Sequence, residues 1–368
     1  MASQPERLRR FKAAMEKVYG DFEDTANWRV PPLPGNAGDR GRYLWTDAFG
    51  VVNFVTLHHT TGEDRYLEPA RRLVQAVHDT LGRTRDGSSR LPHASDAEPL
   101  KGGLRIGKVD ETGPDGDGQY HHYLTLWMFA LSRLAIASGD VRYNDLAIQL
   151  ANAIHPHFMT LRSDGELSMV WKVSTDMSRP LSRSKGHLDD VTGYVVFEQL
   201  GSTARWFGRS NDQPLLAEME QYWAMMERSR PLRSSTDMLD LGMSLWVAHF
   251  PSRRGDELLR ELGTHGNSIA RNVFLERLDE PCSSLRRSAA RRLAFRELGA
   301  CLGIQCYVRD DADLVTSAAA IVNFWESHVA DSTPDDLVAI TQVMLAAALI
   351  PGVFDRSYFD RQQLQDPS

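Results

Sequence analysis

The chain has 368 residues, 42% of them hydrophobic and 25% charged, the composition of a globular protein, which excludes wholesale disorder. A formal net charge of −7 gives no global attraction to nucleic acid or to an anionic membrane surface, so the expected partner is a small molecule at a local site. Three cysteines, Cys282, Cys301 and Cys306, are too few and too irregularly spaced for a disulfide framework and read as incidental thiols.

Residues 5–19 predict an amphipathic helix, and the charged N-terminal stretch around it contains no apolar run of the secretory kind. The most apolar late run, Leu337 to Phe354, is interrupted by Gln342 and by Pro351-Gly352, short of the roughly 20 unbroken apolar residues of a spanning helix. The expectation is a cytoplasmic protein without a membrane partner.

Helical periodicity dominates, and alternating strand patterns are nearly absent. A broadly apolar helix is predicted from Asp47 to Thr61, stopping at Gly62. After the turn GEDRY comes an amphipathic return helix, Leu67 to Leu81, with its stripe at Leu73, Val74 and Val77. The unit recurs from Tyr120, and TTGEDRYLEPARRL compares with ASGDVRYNDLAIQL: Gly, acid and Arg-Tyr in the turn, then the return helix. A third unit opens with LDDVTGYVVFEQLGSTARWFG and returns from Pro214 to Met226. A fourth opens with STDMLDLGMSLWVAHF and returns from Gly255 to Ile269. The fifth runs Leu293 to Tyr307 and returns from Leu314 to Trp325. The sixth, DDLVAITQVMLAAALI, leaves only residues 356–364 for its return, and the helix over 5–19 is the other candidate to close the ring.

Six pairs with an apolar first member and an amphipathic second predict an inner and an outer ring. The expected fold is all-α, an (α/α)6 toroid of six helical hairpins in a single domain over residues 1–368; a bundle or an α-solenoid is the alternative. In such a ring the N-termini of the inner helices gather at one mouth. The segments leading into them contribute Tyr43, Trp45 and Asp47; Asp115, Asp117, Tyr120, His121 and His122; His187, Asp189, Asp190 and Tyr194; and Asp237 and Asp240.

The long connection Lys101 to His122, KGGLRIGKVDETGPDGDGQYHH, is the most unusual of these, crowding glycines, cations, acids and two histidines into one non-periodic segment. Asp is also a favoured helix N-cap, which is the plain reading of Asp47, Asp237 and Asp336. Asp117 and Asp190 differ because each follows a cation-rich segment, and carboxylates among cations can be driven to the separate protonation states that acid–base work requires. His121 and His122 point about 100° apart on a helix and cannot chelate one ion together. With no HExxH, paired CxxC or EF-hand spacing, neither a metal nor a cofactor is expected. His187 is a further acid–base candidate. Trp45 and Trp171, at loop edges, are placed to stack on a sugar ring. KGGLRIGK lacks the order of a phosphate loop, yet its N–H groups and cations suit a carboxylate or phosphate.

WTDAFGVVNFVTLHHTTGEDRYLEPA resembles the WTD, helix and TGD-x-x-Y signature of unsaturated glucuronyl hydrolases, in the six-hairpin glycosidase superfamily. HLDDVTGY is similar to the acid pair opening a later inner helix in that family and in N-acylglucosamine 2-epimerases. The scheme covers about five of the six hairpins. The resemblance implies catalytic acids at Asp117 and Asp190. Here the order is Asp-Gly-Gln-Tyr-His-His, not a His-Asp-x-Gly start, so Asp115 and Glu111 stand beside Asp117 as alternatives. The epimerase relatives imply proton transfer by histidine, a role for His121, His122 or His187.

The expected function is therefore a carbohydrate-active enzyme, a glycoside or unsaturated-uronide hydrolase, acting on a small, anionic saccharide. Asp190, Asp117, Asp189, His122, His121 and His187 are its catalytic candidates. Trp45, Asp47, Arg105, Lys108, Glu111, Tyr120, Trp171 and Arg183 are the candidates for holding substrate. The alternatives are an isomerase or epimerase, a lyase or a cyclase using Asp or His proton transfer, or a non-catalytic ligand-binding barrel.

Overall fold

The computed structural model describes residues 3–32, 41–113, 115–209, 214–276, 285 and 287–358. Within them are twelve α-helices: α1 Gln4–Tyr19, α2 Leu44–Thr61, α3 Leu67–Leu81, α4 His121–Ser138, α5 Arg142–Phe158, α6 Asp189–Trp206, α7 Leu216–Arg228, α8 Met238–Ala248, α9 Asp256–Arg271, α10 Ala294–Tyr307, α11 Ala312–Ser332 and α12 Asp335–Leu349. The chain divides into two compact units, residues 21–229 and residues 1–20 together with 230–368.

In the unit 21–229, α2 packs beside α4 and α4 beside α6, while α3, α5 and α7 lie against them as return helices. The division follows from sequence. Every residue of α2 from Leu44 to Leu57 is buried, so the helix needs neighbours all round. α3 buries Leu67, Ala70, Leu73, Val74, Val77 and Leu81, one stripe at helical spacing. Gly62 and Gly139 end α2 and α4 in the left-handed conformation, at φ 73° and 67°, which a side chain would strain.

In the other unit, α8, α10 and α12 form the corresponding row, with α9 against α8, α11 against α10, and α1 against α12. The N-terminal helix thus covers α12 where a sixth return helix would lie; residues 359–364 of the predicted return fall outside the described residues. α8 and α10 meet backbone to backbone: a Cβ on Gly242 would come 2.1 Å from the Gly299 carbonyl oxygen, and one on Gly303 would come 2.2 Å from that of Gly242.

The first inner helix starts at Leu44, ahead of the predicted Asp47, which places Trp45 and Asp47 inside its first turn. Strands are present where none was read: β1 (Gln119–Tyr120), β2 (Met159–Leu161), β3 (Leu167–Met169) and β4 (Lys172–Val173). β1 pairs with β4 and β2 with β3, both antiparallel. At two or three residues each they are too short to print an alternation. Cys301 and Cys306 are buried, and burial pushes the Cys306 thiol up to about 12; Cys282 lies outside the described residues.

Candidate active site

The Lys101–His122 segment is organised by its own Asp117. Asp117 Oδ1 accepts from the backbone N–H groups of Gly107 (2.9 Å), Gly118 (3.1 Å) and Lys108 (3.4 Å), while Oδ2 accepts from Arg85 (2.8 Å) and Arg105 (2.9 Å). The carboxylate expected at the N–H groups of KGGLRIGK is therefore this one, and Arg105, itself buried, also donates to the carbonyls of Arg83 and Thr80. Gln119 completes the stitching: its Nε2 donates to the carbonyls of Gly102 and Thr175, and its Oε1 accepts from the Leu104 N–H. Gly103, at φ 73°, leaves room for that amide, since a Cβ there would come 1.9 Å from Oε1. Backbone bonds from Leu44 N–H to Ile106 and from Ile106 N–H to Gly118 tie the segment to the start of α2.

Three predictions of substrate contact are corrected by burial. Asp47 is fully enclosed, and both its oxygens are clamped by the buried Arg42 at 3.0 Å. Trp45 is 4% exposed, lying beneath His122 (4.4 Å between ring centroids) and Tyr123 (4.8 Å), with its Nε1 lacking a partner among the described residues. Arg105 belongs with them, its guanidinium being committed to the loop.

What does reach the surface is a run of half-buried rings. Tyr43 and Tyr123 lie 5.4 Å apart, Tyr123 and Tyr120 4.4 Å, and Tyr120 and Trp171 4.9 Å. Lys108 Nζ sits 5.1 Å from the centre of the Tyr43 ring. The Trp171 carbonyl accepts from the His121 N–H at 3.1 Å, capping α4 with the β1/β4 ribbon. Glu111, Arg183 and His187 are exposed on the surrounding loops. Lys172, which the sequence did not mark, is buried and donates to the Gly116 carbonyl at 2.6 Å; burial draws its pKa down, against the pull of Asp117 and Asp115.

Beneath the rings is a polar cluster at the start of α6. Asp189 and Asp190 are both buried. Asp189 Oδ2 accepts from the Gly186 N–H at 2.7 Å, and its Oδ1 lies 3.8 Å from His121 Nδ1, an ion-pair distance too long for a hydrogen bond. Burial pushes Asp189 upward, but His121, His122 and the Gly186 amide outweigh it and hold the group below its ordinary range. His121 Nε2 is 2.7 Å from Tyr222 Oη, and Tyr222 is held well above its usual pKa by burial and by Asp189, Asp190 and Glu218. The phenol therefore keeps its proton, and it shares one hydrogen bond with His121 Nε2 whose direction follows the imidazole tautomer. Gly193 makes the arrangement possible, because a Cβ on it would come 2.5 Å from the Tyr222 ring. Sequence reasoning passed over Tyr222; its signal is the glycine in HLDDVTGY, one turn into a buried helix.

Asp190 is buried beside this relay. Its Oδ2 accepts from Lys185 Nζ and its Oδ1 from the Val191 N–H at 3.1 Å. His122, 7% exposed, is drawn down to about 4 by burial, which Asp189 only partly offsets, so it is neutral near pH 7. The structure thus brings together Asp189, Asp190, His121 and His122, and sets Asp117 apart in the loop. Among the described residues no three His, Cys, Asp or Glu side chains are grouped to hold a metal ion, and no helix is long and apolar enough to cross a membrane.

The fold is of the all-α (α/α)6 class, and the chain is similar in structure to several solved proteins of that fold. A family 76 glycoside hydrolase from a bovine Bacteroides thetaiotaomicron strain matches with a TM-score of 0.61 at 11% identity, over 96% of this chain and 78% of that one. A sugar epimerase from a ruminal bacterium matches with a TM-score of 0.55 at 13% identity, over 92% and 98%. Cellobiose 2-epimerase from Spirochaeta thermophila DSM 6192 matches with a TM-score of 0.54 at 13% identity, over 94% and 98%. No protein-family model and no curated protein matches the chain by sequence.

Proposed function

We propose that the protein is a carbohydrate-active enzyme, a glycoside or unsaturated-uronide hydrolase whose proton chemistry is carried at the start of α6. One observation carries the reading: the run of half-buried rings Tyr43, Tyr123, Tyr120 and Trp171 leads directly into the Tyr120–His122 segment that packs on Asp189. Flat apolar faces with hydroxyls at their edges suit the C–H faces and hydroxyls of a sugar. The structural neighbours, glycoside hydrolases and sugar epimerases, point to the same substrate class.

The roles follow from the environments. Asp189, held below its ordinary range, stays charged beside His121, whose other ring nitrogen is bonded to Tyr222. That assigns the proton-transferring position to Asp190, whose other contact, Lys185, is 30% exposed and can shift when substrate enters. Asp117 holds the rim and takes no part in the chemistry, because two arginines and three backbone N–H groups hold its oxygens, where Asp190 has one displaceable lysine. With Arg105 committed to Asp117, Lys108 and Arg183 are the predicted cations left for an anionic group.

A second reading rests on His122. A neutral imidazole at the edge of the rings can take a proton from carbon, as an isomerase or epimerase requires, with a second base on the opposite face. Asp190→Asn assayed against uronides, glycosides and open-chain isomerisation substrates tests the choice. The hydrolase reading predicts lost turnover of a uronide or glycoside with the helical circular dichroism retained. Unchanged turnover on a confirmed substrate removes Asp190, and loss confined to His122→Gln with an isomerisation substrate replaces the reading by the second.

A further inference from the structure

A groove of about 570 Å³, lined by none of the rings, acids or histidines of this site, lies between the loop around His93–Lys101 and the outer helix α5. Its volume falls within the range of small-molecule sites. Its shape is held from both sides. The Leu100 N–H donates to Gln149 Oε1 at 2.8 Å, pinning the loop to α5, and Gly102 packs so closely under Leu91 and Pro92 that a Cβ would come 2.7 Å from the Leu91 Cβ. His93 adopts a left-handed backbone at φ 71°, and Met177, at φ 58°, presents the carbonyl that receives His157 Nδ1–H at 3.0 Å. Side-chain-bearing residues in that region are strained, and such strain persists where the surrounding structure imposes it, frequently at ligand sites.

The lining chemistry selects the ligand. Its charges are matched locally, Glu98 with Lys101 at 2.7 Å and Asp145 with Arg209 at 2.9 Å, so the groove offers neither a net anion nor a net cation to a guest. What remains are neutral hydrogen-bonding groups beside a small apolar surface of Ile148 and Ala153. The bond to Met177 occupies His157 Nδ1 and leaves Nε2 for a guest, and His93, with its ring 6.4 Å away, Asn152 and the Gln149 amide add donors and acceptors. We propose that this groove is a second, non-catalytic binding site for a neutral oligosaccharide, outside the rim of the active site; the saccharide class rests on the function proposed above, the neutrality on the groove itself.

Ring 15N resonances of His93 and His157 in the intact protein, titrated with cellobiose, mannobiose, maltose and glucuronic acid, provide the test. The expected result is a saturable shift of both histidines with at least one neutral disaccharide, weakened tenfold or more by Asn152→Arg, which fills the groove from an exposed position, and retained in Asp190→Asn. No saturable shift with any of the three disaccharides, or an equal shift in the Asn152→Arg protein, overturns the proposal. A response to glucuronic acid alone overturns the assigned ligand class. Groove binding combined with full turnover in Asp190→Asn removes the catalytic reading and leaves the groove standing, so the two failures are distinguishable.

Discussion

The two units use the same raw material, acids at the starts of buried helices, for different ends. In residues 230–358 two such acids, Asp237 and Glu297, are committed to structure. Asp237 caps α8 by accepting from the Leu239 and Asp240 N–H groups and pairs with Arg296. Glu297 accepts from Arg292 at 2.8 Å and from Trp325 Nε1 at 2.8 Å, and the Arg292 guanidinium lies 4.4 Å from the centre of the Phe324 ring. In residues 21–229, Asp47 and Asp117 are likewise saturated by arginines and backbone N–H groups, but Asp189 and Asp190 end on a histidine relay and on a partly exposed lysine. An acid at a helix start is thus uninformative by itself. What marks a site is a buried carboxylate whose partners are titratable or displaceable.

The largest expected effect tests that contrast directly. Asp190→Asn should lower turnover by about 10²- to 10⁴-fold, the range of a lost acid–base group, with little change in the urea midpoint. Asp237→Ala should leave turnover alone and cost about 1 kcal/mol as a lost cap. Reversed results in paired kinetics and denaturation would erase the distinction between the units. Next in size is Gly242→Ala, expected to destabilise by about 3 kcal/mol because α8 and α10 must separate to admit the methyl group. Gly113→Ala is its counterpart in residues 21–229: nothing lies within 4 Å of the added Cβ, but its φ of 101° leaves a backbone penalty of about 1 kcal/mol. Chemical denaturation of both proteins orders the two.

These contrasts also set the limit of what the sequence could reveal. The helix pairs were legible because apolar residues recur at helical spacing and glycines stop α2 and α4, and α3 falls at the predicted Leu67–Leu81. The pair Asp189-Asp190 was legible as the opening of a buried helix. The commitment of Asp117, Asp47 and Arg105 was not, since it depends on which side chains the folded loop brings to them: Arg85 reaches Asp117 across 32 positions. Tyr222 was hidden for the same reason, its partner His121 lying 101 positions away. Trp45 was misplaced by three residues of helix boundary, enough to turn a loop-edge ring into a buried one.

Acid should act on the unit 21–229 through its histidines. His78, His122 and His155 are drawn down by burial to about 3, 4 and 4 from an ordinary 6.5. A lowered pKa means that the native state favours the neutral ring. The stabilisation is complete above pH 6.5 and is lost as the pH falls toward 4, while the unfolded chain takes up protons that the folded one refuses. For His122 the loss between pH 7 and pH 5 is about 2 kcal/mol. His122→Gln should flatten the pH dependence of the urea midpoint by that amount; an unchanged slope would mean that the ring is not held neutral.

The smallest effect concerns the rings, and it separates two kinds of tryptophan. Trp171 is half-buried and meets Tyr120 edge-on at 4.9 Å, whereas Trp325 is fully buried and hydrogen-bonded to Glu297. Removing a stacking face that contacts substrate equally in the ground and transition states raises KM and spares kcat. Trp171→Phe, which keeps an aromatic face and the backbone carbonyl that caps α4, should raise KM about threefold, and Trp171→Ala about tenfold, with kcat within about twofold in both. A fall in kcat with KM unchanged would move Trp171 from the binding surface to the support of α4, and the rings would then belong to the scaffold, as Trp325 does.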